Sequence, residues 1–125
     1  MQQKKRPVYL NLLKIRQPVS ATVSILHRIS GALLFLFIPY LLYTLQLSLS
    51  TPEHFELLKQ GFDQPLVKLT FLVLIWAYLH HFFAGLRFLL LDLDIGVDLA
   101  PSRASSWAVL AISLPLTLLI GIRLW

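Results

Sequence analysis

The sequence predicts an all-α membrane protein with three transmembrane helices, a cytoplasmic N-terminus and a periplasmic C-terminus. First, 57% of the residues are hydrophobic and only 14% are charged. Second, the apolar residues fall into three long runs, and a helix rising about 1.5 Å per residue needs roughly 20 of them to cross a bilayer core. Third, lysine and arginine crowd the N-terminal flank of the first run, which favours the cytoplasm for that end.

The chain starts with a basic segment, predicted over residues 1–21 as a cytoplasmic arm. Pro7 and Pro18 each disfavour helix at the preceding residue, so the arm should be extended. The first transmembrane helix is predicted over residues 22–47, with a kink at Pro39.

Two further apolar runs follow, each preceded by a polar connection. Residues 48–65 carry three acidic residues and one lysine among prolines, which predicts a periplasmic loop. The second transmembrane helix is predicted over 66–93, followed by a cytoplasmic loop over 94–105. The third is predicted over 106–125, with a bend at Pro115.

Length and composition exclude several classes of function. Three membrane spans use most of the 125 residues, so a separate soluble catalytic domain does not fit. The chain has no cysteine, which excludes disulfides and cysteine-ligated zinc or iron-sulfur clusters. Redox chemistry would therefore require a cofactor or a partner protein.

Polar residues within the predicted helices are the candidate functional groups, because such residues are costly in a bilayer and usually mark a site. Ser24, His27 and Arg28 share one face at the cytoplasmic end of the first helix. The second helix runs in the opposite direction, which places His81 and Arg87 toward the same side. A pocket with a deep imidazole and a rim of hydroxyl and guanidinium groups would result.

A flat, anionic and largely apolar cofactor such as haem fits this arrangement, with iron on a neutral imidazole and carboxylates near arginine. His81 is preferred over His80 as the axial ligand on steric grounds, since His80 neighbours the bulky Trp76 and Phe83. The helix-face neighbours of His81 are mostly small: Ala77, Tyr78, Ala84 and Gly85. A second axial nitrogen would have to come from another subunit, which predicts a hetero-oligomer.

Other interpretations of these residues remain open. An intramembrane histidine can simply hydrogen-bond between helices, and Arg28 and Arg87 can be anchors that extend to the interface. The chain could accordingly be a haem-free structural anchor. It could also be a small transporter component with His81 as a proton relay, although the lack of ionisable residues in the middle of the first and third helices argues against transport.

The sequence resembles a known family at SILHRISG, residues 24–31, and at HHFFAGLRFLLLDL, residues 80–93. Both segments closely resemble the cytochrome b membrane-anchor subunit of bacterial succinate dehydrogenase, respiratory complex II. The resemblance extends over nearly the whole chain. Its most specific elements are Ser-x-x-His-Arg in the first helix and His81 followed by Gly85 and Arg87 in the second.

The resemblance implies roles for the candidate residues. His81 would be an axial ligand of a single haem b, with the other ligand a histidine of a companion small anchor subunit. Ser24 and Arg28 would line the ubiquinone site. His27 and Arg28 would lie close to the haem propionates, and Arg87 in their vicinity.

The sequence departs from some relatives at Phe88, where they carry a second histidine directly after the motif arginine. His80 is an extra histidine beside the implied ligand. Asp92 corresponds to the acidic residue that closes the second motif.

The resemblance also implies an assembly in the bacterial inner membrane. A flavoprotein with covalent FAD and an iron-sulfur protein would oxidise succinate and pass electrons to ubiquinone at this anchor. Catalysis would then belong to the complex, since this chain alone would hold no complete active site.

Overall fold

The computed structural model describes residues 15–125, which form four α-helices and no β-strand. The helices are α1 (Val19–Ser50), α2 (Pro52–Phe62), α3 (Pro65–Asp92) and α4 (Leu99–Leu124). Three of them, α1, α3 and α4, are long and apolar enough to cross a membrane. The predicted all-α class with three spans is confirmed. Most of the predicted basic arm, residues 1–14, lies outside the described residues.

The first helix begins slightly earlier than predicted, at Val19. Pro18 has an extended backbone and its carbonyl accepts hydrogen bonds from the amides of Ala21 and Thr22. Pro18 has no amide hydrogen that would need a partner at the helix start, and no side chain caps α1. Pro39 lies inside the helix, as predicted.

The structure differs from the predicted loop at residues 48–65, because most of this segment forms α2. The hydroxyl of Thr51 accepts a hydrogen bond from the amide of His54 at 3.3 Å, and Pro52 occupies the first helical turn. Hydrogen bonds from its own backbone and from Thr51 lower the pKa of the Glu53 carboxyl. The proline and acidic residues that indicate a loop are here the residues that begin a helix.

The connection between α3 and α4 is shorter than predicted, because α4 already begins at Leu99. Pro101 lies in the first helical turn, where a missing amide hydrogen costs little. Asp94 and Gly96 have positive φ angles of 59° and 77°, and these left-handed residues reverse the chain direction.

Helix α3 packs against both α1 and α4, and these two helices also contact each other. Its small buried side chain Ala84 joins Val23 and Val109 in an apolar cluster. Much of the remaining interior is polar: Ser30, His80, Arg87, Ser106, Ser113 and Thr117 are buried. Large apolar side chains such as Phe35 and Leu36, 72% and 71% exposed, face outward. A polar interior with an apolar surface is typical of helices that pack within lipid.

Candidate functional site

His81 on α3 faces α1, where its ring stacks on His27 with centroids 4.1 Å apart and an interplanar angle of 10°. Gly31 makes this contact possible. A Cβ atom at position 31 would lie 2.8 Å from Cε1 of His81, which is closer than real Cβ contacts allow. The ring therefore rests directly against the backbone of α1.

The hydrogen bonds of His81 fix its tautomer. Its Nδ1 lies 3.1 Å from the carbonyl oxygen of His27 and 3.3 Å from the hydroxyl of Ser30. The Ser30 hydroxyl itself donates to the same carbonyl at 2.9 Å. A carbonyl oxygen can only accept, so Nδ1 must carry the hydrogen, and Nε2 of the neutral ring then has a free lone pair.

This arrangement fits an axial ligand of haem iron. Among the hydrogen bonds of the described residues, those of the His81 ring involve Nδ1 alone, so Nε2 remains available. Metal-binding histidines characteristically donate their other nitrogen to a carbonyl or carboxylate, which orients the ring and raises its basicity. The donor chemistry of His81 therefore suits this cofactor.

Ser24 and Arg28 lie on the same face of α1 as His27 and Gly31, because these positions are separated by three or four residues. Ser24 is half-buried and Arg28 is exposed. No hydrogen bond or ion pair between residues 15 and 125 involves either side chain. The structure thus brings a hydroxyl and a guanidinium to the α1 face that carries the His27–His81 stack, with their donor groups uncommitted to other described residues.

Arg87 is positioned differently from the other candidates, because it is buried between α3 and α4. Its Nε donates to the Ser105 hydroxyl at 3.0 Å, and its Nη2 donates to the Ser102 hydroxyl at 3.0 Å. Its Cζ lies 5.3 Å from the ring centre of Phe88, which in turn lies 5.1 Å from the His27 ring. Phe88 therefore lies in contact with both Arg87 and the histidine stack.

His80 points away from the His27–His81 stack into the interior of the bundle. It is fully buried, and its ring stacks on Trp76 at 5.4 Å with an interplanar angle of 27°. The two adjacent histidines thus occupy separate environments. Of the two bulky neighbours predicted for His80, Trp76 contacts its ring in the fold.

Several residues at this site were not identified from the sequence. Gly31 and Ser30 belong to the segment SILHRISG, but only their position one turn after His27 hints at a contact with a ring on another helix. Ser102 and Ser105 are three residues apart at the start of α4. Spacing alone does not reveal that they receive a buried arginine.

Comparisons with a family model and with individual proteins indicate the same family. Residues 2–120 match the family described as succinate dehydrogenase/fumarate reductase transmembrane subunit. A succinate dehydrogenase cytochrome b556 subunit of Coxiella burnetii is 37% identical over 97% of this chain and 98% of the relative. Subunits with the same name are 30% identical in Paracoccus denitrificans, over 91% of this chain and 88% of the relative, and 28% identical in Rickettsia typhi, over 94% and 92%.

These matches cover nearly the full length of both partners in each comparison. They agree with the three apolar helices, which are those of a multi-pass inner-membrane protein. The chain therefore belongs to the succinate dehydrogenase/fumarate reductase transmembrane subunit family.

Proposed function

We propose that this chain binds haem b at the interface with a companion anchor subunit and forms part of the ubiquinone-reduction site of a succinate dehydrogenase. The observation that carries the proposal is the His81 ring, whose hydrogen bond to the His27 carbonyl leaves Nε2 free. The relatives are named cytochrome b556 subunits, which agrees with a haem protein.

In this proposal His81 Nε2 binds the haem iron, and Nδ1 donates to α1. Haem, when bound, supplies a one-electron carrier. The contact with Gly31 prevents the ring from moving toward α1, and the stacked His27 ring supports it from one side. The protein thereby orients the imidazole before the ligand bond forms, which lowers the cost of binding.

His27 and Arg28 are the residues that we assign to the haem propionates, since both lie on the α1 face beside His81. Arg87 contributes positive charge in the same vicinity. Two of its nitrogens already bind the serines of α4, so its contribution to the propionates is electrostatic and acts at a distance.

Ser24 and Arg28 are the residues that we assign to ubiquinone. The Ser24 hydroxyl can donate a hydrogen bond to a quinone carbonyl oxygen, and the Arg28 guanidinium stabilises negative charge that develops there. The two electrons come from the iron-sulfur subunit, which receives them from the flavoprotein that oxidises succinate. The two protons come from the adjacent aqueous interface.

The alternative function is a haem-free structural anchor. One observation favours it, since His81 and Arg87 both have hydrogen-bond partners within the chain and could serve helix packing alone. Both functions retain the family assignment, and they differ in whether His81 binds iron.

Substitution of the two histidines tests the proposal. His81→Leu should abolish the haem b band in reduced-minus-oxidised spectra of the purified complex, because the iron loses its ligand. His80→Phe is the matched control, since it changes the adjacent histidine, keeps a ring on Trp76 and should retain the band. An unchanged haem band in His81→Leu would overturn the assignment of His81 as the ligand, whereas absence of the band from the unsubstituted complex would support the haem-free anchor.

The assignment of Ser24 to ubiquinone binding is tested by measuring quinone reduction in the purified complex. Ser24→Ala should lower succinate-dependent quinone reduction about tenfold or more, as expected from loss of one donor to a developing oxyanion. Succinate oxidation with an artificial acceptor should be unchanged. Equal losses in both assays would show that the substitution only disturbs assembly.

A further inference from the structure

The interior of the bundle contains polar atoms that have no hydrogen-bond partner. Within residues 15–125 there are four such buried side-chain atoms: Nε1 of Trp76, Nδ1 and Nε2 of His80, and Oγ of Ser113. His80 and Ser113 have no exposed surface at all. Buried polar groups in native proteins are nearly always paired, so each exception requires an explanation. Lipid cannot supply a hydrogen bond, which makes the requirement stricter here.

Helix geometry places two of these residues, His80 and Ser113, at the same level along the α3–α4 interface. At one end of the α3–α4 interface, a Cβ on Gly121 would lie 2.7 Å from Cδ1 of Leu72, which shows that these residues touch. His80 comes eight residues after Leu72, and Ser113 comes eight residues before Gly121. Because the helices are antiparallel and have the same rise, both residues lie about 12 Å from that contact.

These residues also lie on the facing sides of the two helices. Steps of four residues from Leu72 lead to Trp76 and His80, and steps of four from Gly121 lead to Thr117 and Ser113. Residues four apart share a helix face. The stacked rings of Trp76 and His80 confirm this alignment on α3. His80 and Ser113 are therefore expected to face each other near the middle of this interface, with Trp76 stacked on His80 one turn away.

We propose that Trp76, His80 and Ser113 form an internal water-binding site between α3 and α4. Their donors and acceptors are complementary to water: the indole only donates, the neutral imidazole donates once and accepts once, and the hydroxyl does both. A buried water usually makes about three hydrogen bonds to otherwise unpaired groups. The side chain of His80 is turned about 100° around α3 from that of His81, so the site is separate from the His27–His81 stack and does not depend on haem or quinone binding.

This water gives α3 and α4 a second polar connection. The hydrogen bonds between the side chains of Arg87 and the two serines hold one end of the interface, and apolar contact at Gly121 holds the other. The proposed water joins the helices midway between them, where no direct hydrogen bond links α3 to α4 within the described residues.

Solid-state NMR of the purified membrane complex in lipid bilayers tests the proposal, with 15N-labelled histidine in this chain. Magnetisation transfer from water should reach the His80 ring N–H, and the signal is assigned by its loss in His80→Phe. In Ser113→Ala the His80 resonance should shift, because the water loses one partner. Ser48→Ala is the matched control, since it removes a hydroxyl that binds only its own helix. Absence of transfer from water to His80 would overturn the proposal.

A double-mutant cycle gives an independent measurement. His80→Phe and Ser113→Ala should be coupled by about threefold in the equilibrium constant for unfolding in mixed micelles, the usual size for polar contacts between membrane helices. A direct bond from His80 to the Val23 carbonyl of α1, the competing arrangement, would leave the two substitutions additive. Additivity would therefore also overturn the proposal.

Discussion

The contact between His81 and Gly31 shows how the backbone of one helix orients a side chain of another. Glycine at this position lets the imidazole approach α1 closely enough for Nδ1 to reach the His27 carbonyl. The sequence indicated the importance of His81 through its helix-face neighbours. The tautomer of His81 was not predictable, because it depends on a hydrogen bond to the backbone carbonyl of His27. Every residue has such a carbonyl, so the sequence does not indicate which one the ring will meet.

Substitution of Gly31 by alanine tests this contact. The new Cβ of Gly31→Ala would overlap the His81 ring, and this overlap should destabilise the protein by about 1–3 kcal/mol. The higher helix propensity of alanine should offset about 1 kcal/mol of that loss. The measurement is the free energy of unfolding in mixed micelles.

Gly85→Ala is the control for that substitution. A Cβ at Gly85 would lie 3.7 Å from Nε2 of His27, an ordinary contact, so only the gain in helix propensity should remain. Equal stabilities for the two variants would contradict the close packing of His81 on α1.

At the scale of elements, the contact between α3 and α4 depends on Arg87 more than its sequence suggests. The sequence placed this arginine near a helix end, where such residues usually extend to the interface. In the fold it is buried, 6% exposed, and its planar guanidinium binds Ser102 and Ser105 together. The start of α4 at Leu99, earlier than predicted, is what brings both serines onto a helix facing Arg87.

Replacement of Arg87 by lysine should destabilise the α3–α4 contact. Lysine keeps the charge but cannot reproduce the two directed hydrogen bonds, so Arg87→Lys should cost about 1.5–3 kcal/mol in the free energy of unfolding. Arg103→Lys is the control. Arg103 is exposed in the turn of α4 that carries Ser102 and Ser105, so its replacement should have little effect on the free energy of unfolding. Similar losses for both variants would show that the geometry of Arg87 is unimportant.

Helix α2 illustrates what sequence patterns leave open at this scale. Prolines and acidic residues are found both in loops and in the first turns of helices. The hydrogen bond from the His54 amide to Thr51 distinguishes the two cases, and it exists only once the backbone has turned. The longer apolar runs were predictable because their length leaves no alternative to a helix in lipid.

For the whole molecule, hydropathy predicted the class and the number of spans, because the outward-facing surface must match lipid. The internal arrangement was less accessible. The hydrophobic runs do not show that α1, α3 and α4 all pack against one another, nor that serine, threonine, histidine and arginine side chains line the interior. These features follow from packing between segments distant in sequence.

The distribution of basic residues gives a prediction for the orientation of the whole chain. With three spans and a basic N-terminal segment, the C-terminus should lie in the periplasm. Alkaline phosphatase fused after Trp125 should therefore be active in cells. The same enzyme inserted after Val97, in the connection between α3 and α4, should be inactive, and the reverse pattern would show the opposite orientation.

His80 and His81 are neighbours in sequence, yet their side chains diverge by about 100° around the helix. In the proposed water site His80 faces the interior between α3 and α4, whereas His81 stacks on His27 of α1. A substitution on α4 can consequently alter the surroundings of the first while the second keeps the same contacts. The packing around His80 and the surroundings of His81 can thus vary independently during evolution, although the two residues are adjacent in the chain.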